Sequence, residues 1–169
     1  MALRQIRLLG DPVLRERCPE VTDIDQEILA LIQDLQDTMY EAEGIGLAAP
    51  QIGVRRRVFV YDVREDEHAP GVLINPRIVE SEGVIRESEG CLSIPDLTEV
   101  VERSARVVAE GLDEEGRSVR LEADGLLSRC LQHEVDHLDG ILFFDRVSPL
   151  KRKMLLAKWA KSEHGAGLK

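Results

Sequence analysis

The residues best equipped for chemistry are His133-Glu134-Val135-Asp136-His137, which match the pattern H-E-x-x-H. On a helix, residues four apart lie about 6 Å apart along the axis and on one face, so two imidazoles can converge on one metal ion. Glu134 then stands beside them, placed to take a proton from a water the ion has acidified. By the same geometry Asp136 turns away from the histidine pair, and it is assigned nothing beyond solvation or a local hydrogen bond. The plain alternative is two histidines packed or exposed on an ordinary helix.

A hydrolytic site of this type uses a third protein ligand and keeps one position open. The protease pattern H-E-x-x-H-x-x-G-x-x-H would put a third histidine at residue 143, but the chain has Gly140 and then Phe143. A protease glutamate on a following helix is also missing, because the only glutamate after His137 is Glu163, near the end of the chain. Cysteines are the remaining strong donors. Cys130 shares the helix face but precedes His137 by about 10 Å along the axis, too far for one ion to reach it and both histidines; it reads as a small apolar wall residue. Cys18 has no histidine or second cysteine near it in the sequence and reads as inert. Cys91, in Glu89-Gly90-Cys91-Leu92-Ser93, follows a glycine that permits close backbone approach, and it is either a thiolate ligand or a buried cysteine at a strand end.

The H-E-x-x-H segment lies within Asp124 to Leu138, which has helical spacing, with Asp124 as N-cap and Gly140 as C-terminal stop. Upstream, Ile24, Ile28, Leu31, Ile32, Leu35 and Met39 recur at three- and four-residue steps and predict an amphipathic helix over Asp23 to Glu43, with Gly44 placed to end it. Between them, Arg57–Tyr61, Val72–Ile74, Arg77–Glu80, Val84–Glu87, Arg106–Leu112 and Ser118–Glu122 read as strands, and Arg64 to Gly71 as a solvated loop. A final helix is expected over about 149–162. Helices at both ends of a run of short strands predict an α+β fold: mostly antiparallel strands around a central metal-binding helix, in a single domain spanning residues 1–169.

The chain has 169 residues, 43% hydrophobic and 32% charged. It has no apolar run near the ~20 residues of a membrane-spanning helix. A soluble, cytoplasmic protein is expected, since the amino terminus lacks a secretory signal and three scattered cysteines make no disulfide framework. A net charge of −10 argues against general nucleic-acid binding. The charge is uneven, however: Arg146 to Lys169 holds seven basic residues against one acid. That basic C-terminal helix is either a solvated face or a surface for docking on ribosomal RNA.

Three segments together give the chain a family resemblance: Gly44-Ile45-Gly46-Leu47-Ala48-Ala49-Pro50-Gln51, then Glu89-Gly90-Cys91-Leu92-Ser93, then Gln132-His133-Glu134-Val135-Asp136-His137. The chain resembles bacterial-type peptide deformylases, in which these motifs occur in this order. The resemblance implies that Cys91, His133 and His137 hold one divalent ion, natively Fe²⁺, with Zn²⁺ or Ni²⁺ as substitutes. It implies Glu134 as general base, with the Gln51 amide and the Leu92 backbone N–H as oxyanion donors. The reaction implied is hydrolysis of the formyl group from the formylmethionine of nascent peptides. Ile45, Leu92, Cys130 and the His133 ring would wall the methionine pocket, and Gly44, Gly46 and Gly90 would let a substrate backbone approach as an added strand. An ion pair of Glu89 with Arg103 would support the motif around Cys91. Thr98 stands where some relatives carry an arginine that reaches toward bound peptide. Two rival readings are a metallopeptidase acting on internal amides, disfavoured by the missing downstream ligand, and a binding module with a structural metal, disfavoured by having three ligands rather than four.

Overall fold

The computed structural model describes residues 3–166, so Lys169 of the basic tail lies outside the described residues. The first helix, α1 (Gln26–Glu41), starts at Asp25, whose carboxylate accepts the Ile28 N–H at 3.1 Å. Its end differs in detail from expectation. Glu43, rather than a glycine, takes the left-handed conformation (φ 58°). Gly44 N–H then reaches back to Met39 C=O at 2.9 Å and Glu43 N–H to Tyr40 C=O at 3.1 Å, the paired bonds of a Schellman turn.

A five-stranded antiparallel sheet follows, built from β1 (Gly46–Ala48), β2 (Val58–Tyr61), β3 (Gly71–Glu82), β6 (Arg106–Leu112) and β7 (Ser118–Asp124), in the order β1-β2-β3-β6-β7. A hairpin of β4 (Ile85–Cys91) and β5 (Ile94–Arg103) forms a second, two-stranded sheet. The strands predicted at 72–74 and 77–80 are one element, β3, with its register shifted between Ile74 and Arg77. Asn75 makes the kink: it sits at φ 52°, and its side-chain amide bonds both Val21 N–H and Val21 C=O. β5 was not expected as a strand, because Pro95 and the charges at Asp96, Glu99 and Glu102 hide it; a proline near a strand's start is tolerated.

The central helix, α2 (Gly125–Leu138), lies against one face of the larger sheet and α1 against the other. Alternation along β2 shows this directly: Val58 and Val60 pack with α1, whereas Phe59 and Tyr61 pack on the α2 side. Asp124 occupies the N-cap of α2 without a side-chain capping bond, while Gly140 adopts the left-handed φ (74°) expected of a C-terminal stop. The last long helix, α3 (Pro149–Lys161), buries Leu155 and Trp159 against Phe143, Phe144 and the hairpin residues Ile94 and Val101. The fold is α+β with antiparallel pairing throughout the described sheets, although β3 and β5 are long strands.

Candidate active site

Helix α2 presents His133, Glu134 and His137, all buried. Cys91 reaches them from the end of β4, where a two-residue loop, Leu92–Ser93, and a register shift at Gly90 turn the strand toward the helix. One donor atom each from Cys91, His133 and His137 lies within 4.8 Å of the others. The His137 Nε2 is 3.3 Å from the Cys91 sulfur and 3.1 Å from the His133 Nε2. Donors bound tetrahedrally at about 2.0–2.3 Å stand roughly 3.3–3.7 Å apart, close to these two separations, so the three side chains could hold a single ion. A thiolate with two imidazoles suits a borderline divalent metal such as zinc or iron. The Glu134 Oε1 is buried without a hydrogen-bond partner among the described residues, so it could accept from a water or a ligand.

Gln51 follows β1 in a 3-10 turn (Ala49–Ile52) and is almost fully buried. Its Oε1 accepts the Ala48 N–H at 3.0 Å, which turns the amide NH₂ toward Ser93 Oγ at 3.1 Å and the Cys91 sulfur at 3.6 Å. Beside this cluster opens a cavity of about 500 Å³, whose lining includes Ile45, Leu92, Leu126, Cys130, His133 and Glu134. Cys130 lies in the wall with its thiol donating to Ile45 C=O at 3.5 Å, apart from the ligand cluster. Gly44 and Gly46 also line the cavity, but their bareness first serves the protein itself: a Cβ on Gly46 would meet Glu134 Oε2 at 2.6 Å, and one on Gly44 would meet Leu92 Cδ1 at 2.7 Å. At Gly90, a Cβ would crowd Thr98 Cγ2 at 3.2 Å.

The family model for polypeptide deformylase matches residues 3–153. The chain belongs to the polypeptide deformylase family. It is 52% identical over 165 residues to the peptide deformylase of Acidothermus cellulolyticus, covering 95% of this chain and 90% of that one. The crystal structure of the Legionella pneumophila peptide deformylase superposes with a TM-score of 0.91 at 43% identity, covering 99% of both chains. That of Ehrlichia chaffeensis in complex with actinonin gives 0.90 at 36% identity, covering 96% of this chain and 99% of that one.

In this deformylase the electrostatics of the site divide its buried acids. Burial alone would raise Glu89, but hydrogen bonds from His133 Nδ1 (2.6 Å) and the Arg103 guanidinium (2.6 and 3.2 Å) hold it down at about 2. Glu134, lacking such partners, is pushed by burial up to about 7, although the nearby His133 charge opposes this. Burial disfavours charge on both histidines; Cys91 and Glu89 nonetheless raise His133 through hydrogen bonds, whereas burial and the His133 charge lower His137. A neutral His137 is a ready metal ligand.

Two anchors of α2 escaped the sequence reading. Arg57, at the foot of β2, is buried and donates to Leu138 C=O (3.0 Å) and Asp139 Oδ1 (2.9 Å), closing the helix's carbonyl end. Asp136, assigned nothing beyond solvation or a local hydrogen bond, is buried between two guanidinium groups, Arg103 at 2.6 Å and Arg146 at 2.7 Å. A charged residue opening the apolar run of β2 was the available signal for Arg57. Nothing local pointed to the partners of Asp136.

Proposed function

We propose that the chain, acting as one domain, hydrolyses the formyl group from the N-terminal formylmethionine of new polypeptides and releases formate. The observation that supports this most is the convergence of Cys91, His133 and His137 beside a buried glutamate with a free oxygen, in the wall of an apolar cavity.

Cys91, His133 and His137 would hold one divalent ion, Fe²⁺ natively, with Zn²⁺ or Ni²⁺ as substitutes. When bound, such an ion supplies Lewis acidity, drawing the pKa of water down to about 7 and polarising a carbonyl. Glu134 takes the proton of the attacking water and later delivers it to the departing amine, a double duty for which its buried Oε1, without a hydrogen-bond partner among the described residues, is available. The Gln51 amide and the Leu92 backbone N–H donate to the developing oxyanion. The methionine side chain enters between Ile45, Leu92, Cys130 and the His133 ring, where burial contributes roughly 1.5–3 kcal/mol. Gly44, Gly46 and Gly90 border the path of the peptide backbone.

The deciding assay offers formyl-Met-Ala and an acetyl-blocked peptide to metal-loaded protein. Formate release from the first alone is expected; cleavage of internal bonds without formate would replace this reading with a peptidase. Cys91→Ala should lose the ion and all turnover. Actinonin, bound in the Ehrlichia relative, should inhibit.

The reaction belongs in the cytoplasm, where Cys91 stays reduced; all three cysteines are free, and no described helix is long and apolar enough to cross a membrane. Helix α3 docks on ribosomal RNA near emerging chains. Lys151 pairs with Glu99 and Arg152 with Asp145, so the docking charge falls mainly to the exposed Lys153, Lys158 and Lys161. Changing these three to glutamate spares the buried Leu155 and Trp159 and should abolish salt-sensitive co-sedimentation with ribosomes; undiminished co-sedimentation would refute docking.

A further inference from the structure

The His133 ring is oriented by a chain of charges that returns to its own helix. Its Nδ1 meets Glu89 Oε2 at 2.6 Å, and the same oxygen accepts from the Arg103 guanidinium at 2.6 Å. Arg103 turns its other terminal nitrogen to Asp136 Oδ2, also at 2.6 Å, and Asp136 stands three residues beyond His133 on α2. Helix, Asp136, Arg103, Glu89 and His133 thus form a closed ring in which both strands of the β4–β5 hairpin grip α2. Every side chain in that ring is at most 10% exposed.

Arg146 is outside the ring and holds it shut. Its Nε donates to Asp136 Oδ2 at 3.1 Å and a terminal nitrogen to Oδ1 at 2.7 Å, a two-pronged grip, while the side chain remains 46% exposed. The two arginines repel each other, and Asp136 is the anion between them. Without Arg146, one oxygen of Asp136 loses its guanidinium partner and the carboxylate is free to rotate, taking the Arg103 contact with it. Arg146 and Asp136 line a separate cleft of about 360 Å³ that shares no lining residue with the catalytic cavity, so neither is placed to touch substrate.

We infer that Arg146 and Asp136 are positioning residues for the metal ligand His133, acting through Arg103 and Glu89. Arg146 ends the 3-10 turn Phe143–Arg146, just before Pro149 opens α3, so the approach to the basic helix is tied to the catalytic site by four polar contacts. A buried ion pair contributes little net stability once desolvation is counted, and orientation is the gain such a ring offers.

The inference rests on Cys91, His133 and His137 holding an ion, and the experiment separates the two. Nickel-loaded wild type, Arg146→Met and Arg146→Lys are compared for the rate of nickel loss to a chelator and for kcat and KM on formyl-Met-Ala. Partners of metal ligands typically alter affinity 10–100-fold, and for this more distant residue about three- to tenfold faster nickel loss is expected in Arg146→Met. Its kcat should fall by a similar factor at unchanged KM, with partial recovery in Arg146→Lys. Arg146→Met combined with Glu89→Gln should be no worse than Glu89→Gln alone. If the wild type binds no nickel, the metal site itself fails. If it binds nickel and Arg146→Met loses it no faster, with only Tm lowered, Arg146 is merely structural and the inference is overturned.

Discussion

Glu89 and Glu134 are the same residue type, both buried and both within reach of His133, yet the fold drives them in opposite directions. Glu89 has a guanidinium on both oxygens and an imidazole on one of them, and it is ionised down to about pH 2. Among the described residues Glu134 has no counter-cation in contact and keeps one oxygen without a partner, and burial pushes it up to about 7. On the proposed mechanism the first would be an anion fixed in place to orient a ligand and the second a proton carrier kept in reserve. Setting two neighbouring acids apart in this way is how a single site assigns separate roles to identical groups.

The sharpest way to break this contrast is to remove the carrier. Glu134→Gln should lower kcat roughly a thousandfold while bound metal, measured by atomic emission, stays at wild-type level; turnover within tenfold of wild type would end the assignment. Gly46→Ala comes next, because the new methyl would meet Glu134 Oε2 at 2.6 Å and displace it. A kcat reduced about a hundredfold with metal retained is expected, since misplacement by about 1 Å has that cost. Glu89→Gln should instead weaken metal affinity about 10–100-fold in a chelator titration, with kcat of the saturated enzyme less affected.

The pH dependence of stability sharpens the same difference. The pKa of Glu89 is depressed from 4.5 to about 2 in the folded chain. Its contribution, roughly 3 kcal/mol, is therefore fully present above about pH 4.5 and lost as pH falls through about 2. Urea unfolding of Glu89→Gln should flatten that window; an unchanged slope would show that Glu89 is not held as described. A third glutamate supplies the control with the smallest effect. Glu43 is exposed and held at a left-handed φ of 58° by the end of α1, so Glu43→Gly should raise stability by about 0.5–1 kcal/mol, or about 1–4 °C in Tm.

Much of this was legible in the sequence where the signal is local. The apolar spacing of Ile28, Leu31, Ile32, Leu35 and Met39 gives α1, and H-E-x-x-H within a helical pattern gives the face that His133 and His137 share. What could not be read is what arises only when distant segments meet. β1 is three residues long and is a strand because β2 pairs with it, with Leu47 opposite Val60. β5 is masked by Pro95 and by the charges at Asp96, Glu99 and Glu102, of which Asp96 and Glu102 are exposed and Glu99 is half-buried. Asp136 shows the limit most clearly. Helical geometry correctly turns it from the histidines, but its partners come from 33 residues before and 10 residues after, and no local pattern announces them.

The approach of Cys91 to α2 has a consequence for folding itself. Cys91 and His137 are 46 residues apart, and the segment between them carries β5, β6, β7 and nearly all of α2. An ion shared by the two, as proposed, would make this a reversible cross-link of the chain, and by loop entropy alone a closure of that length contributes about 4 kcal/mol. Metal supply would then act as a folding reagent. Chelation should leave every apolar contact intact and still shorten the protein's lifetime against proteases, so that cells short of the ion would lose the polypeptide along with its activity.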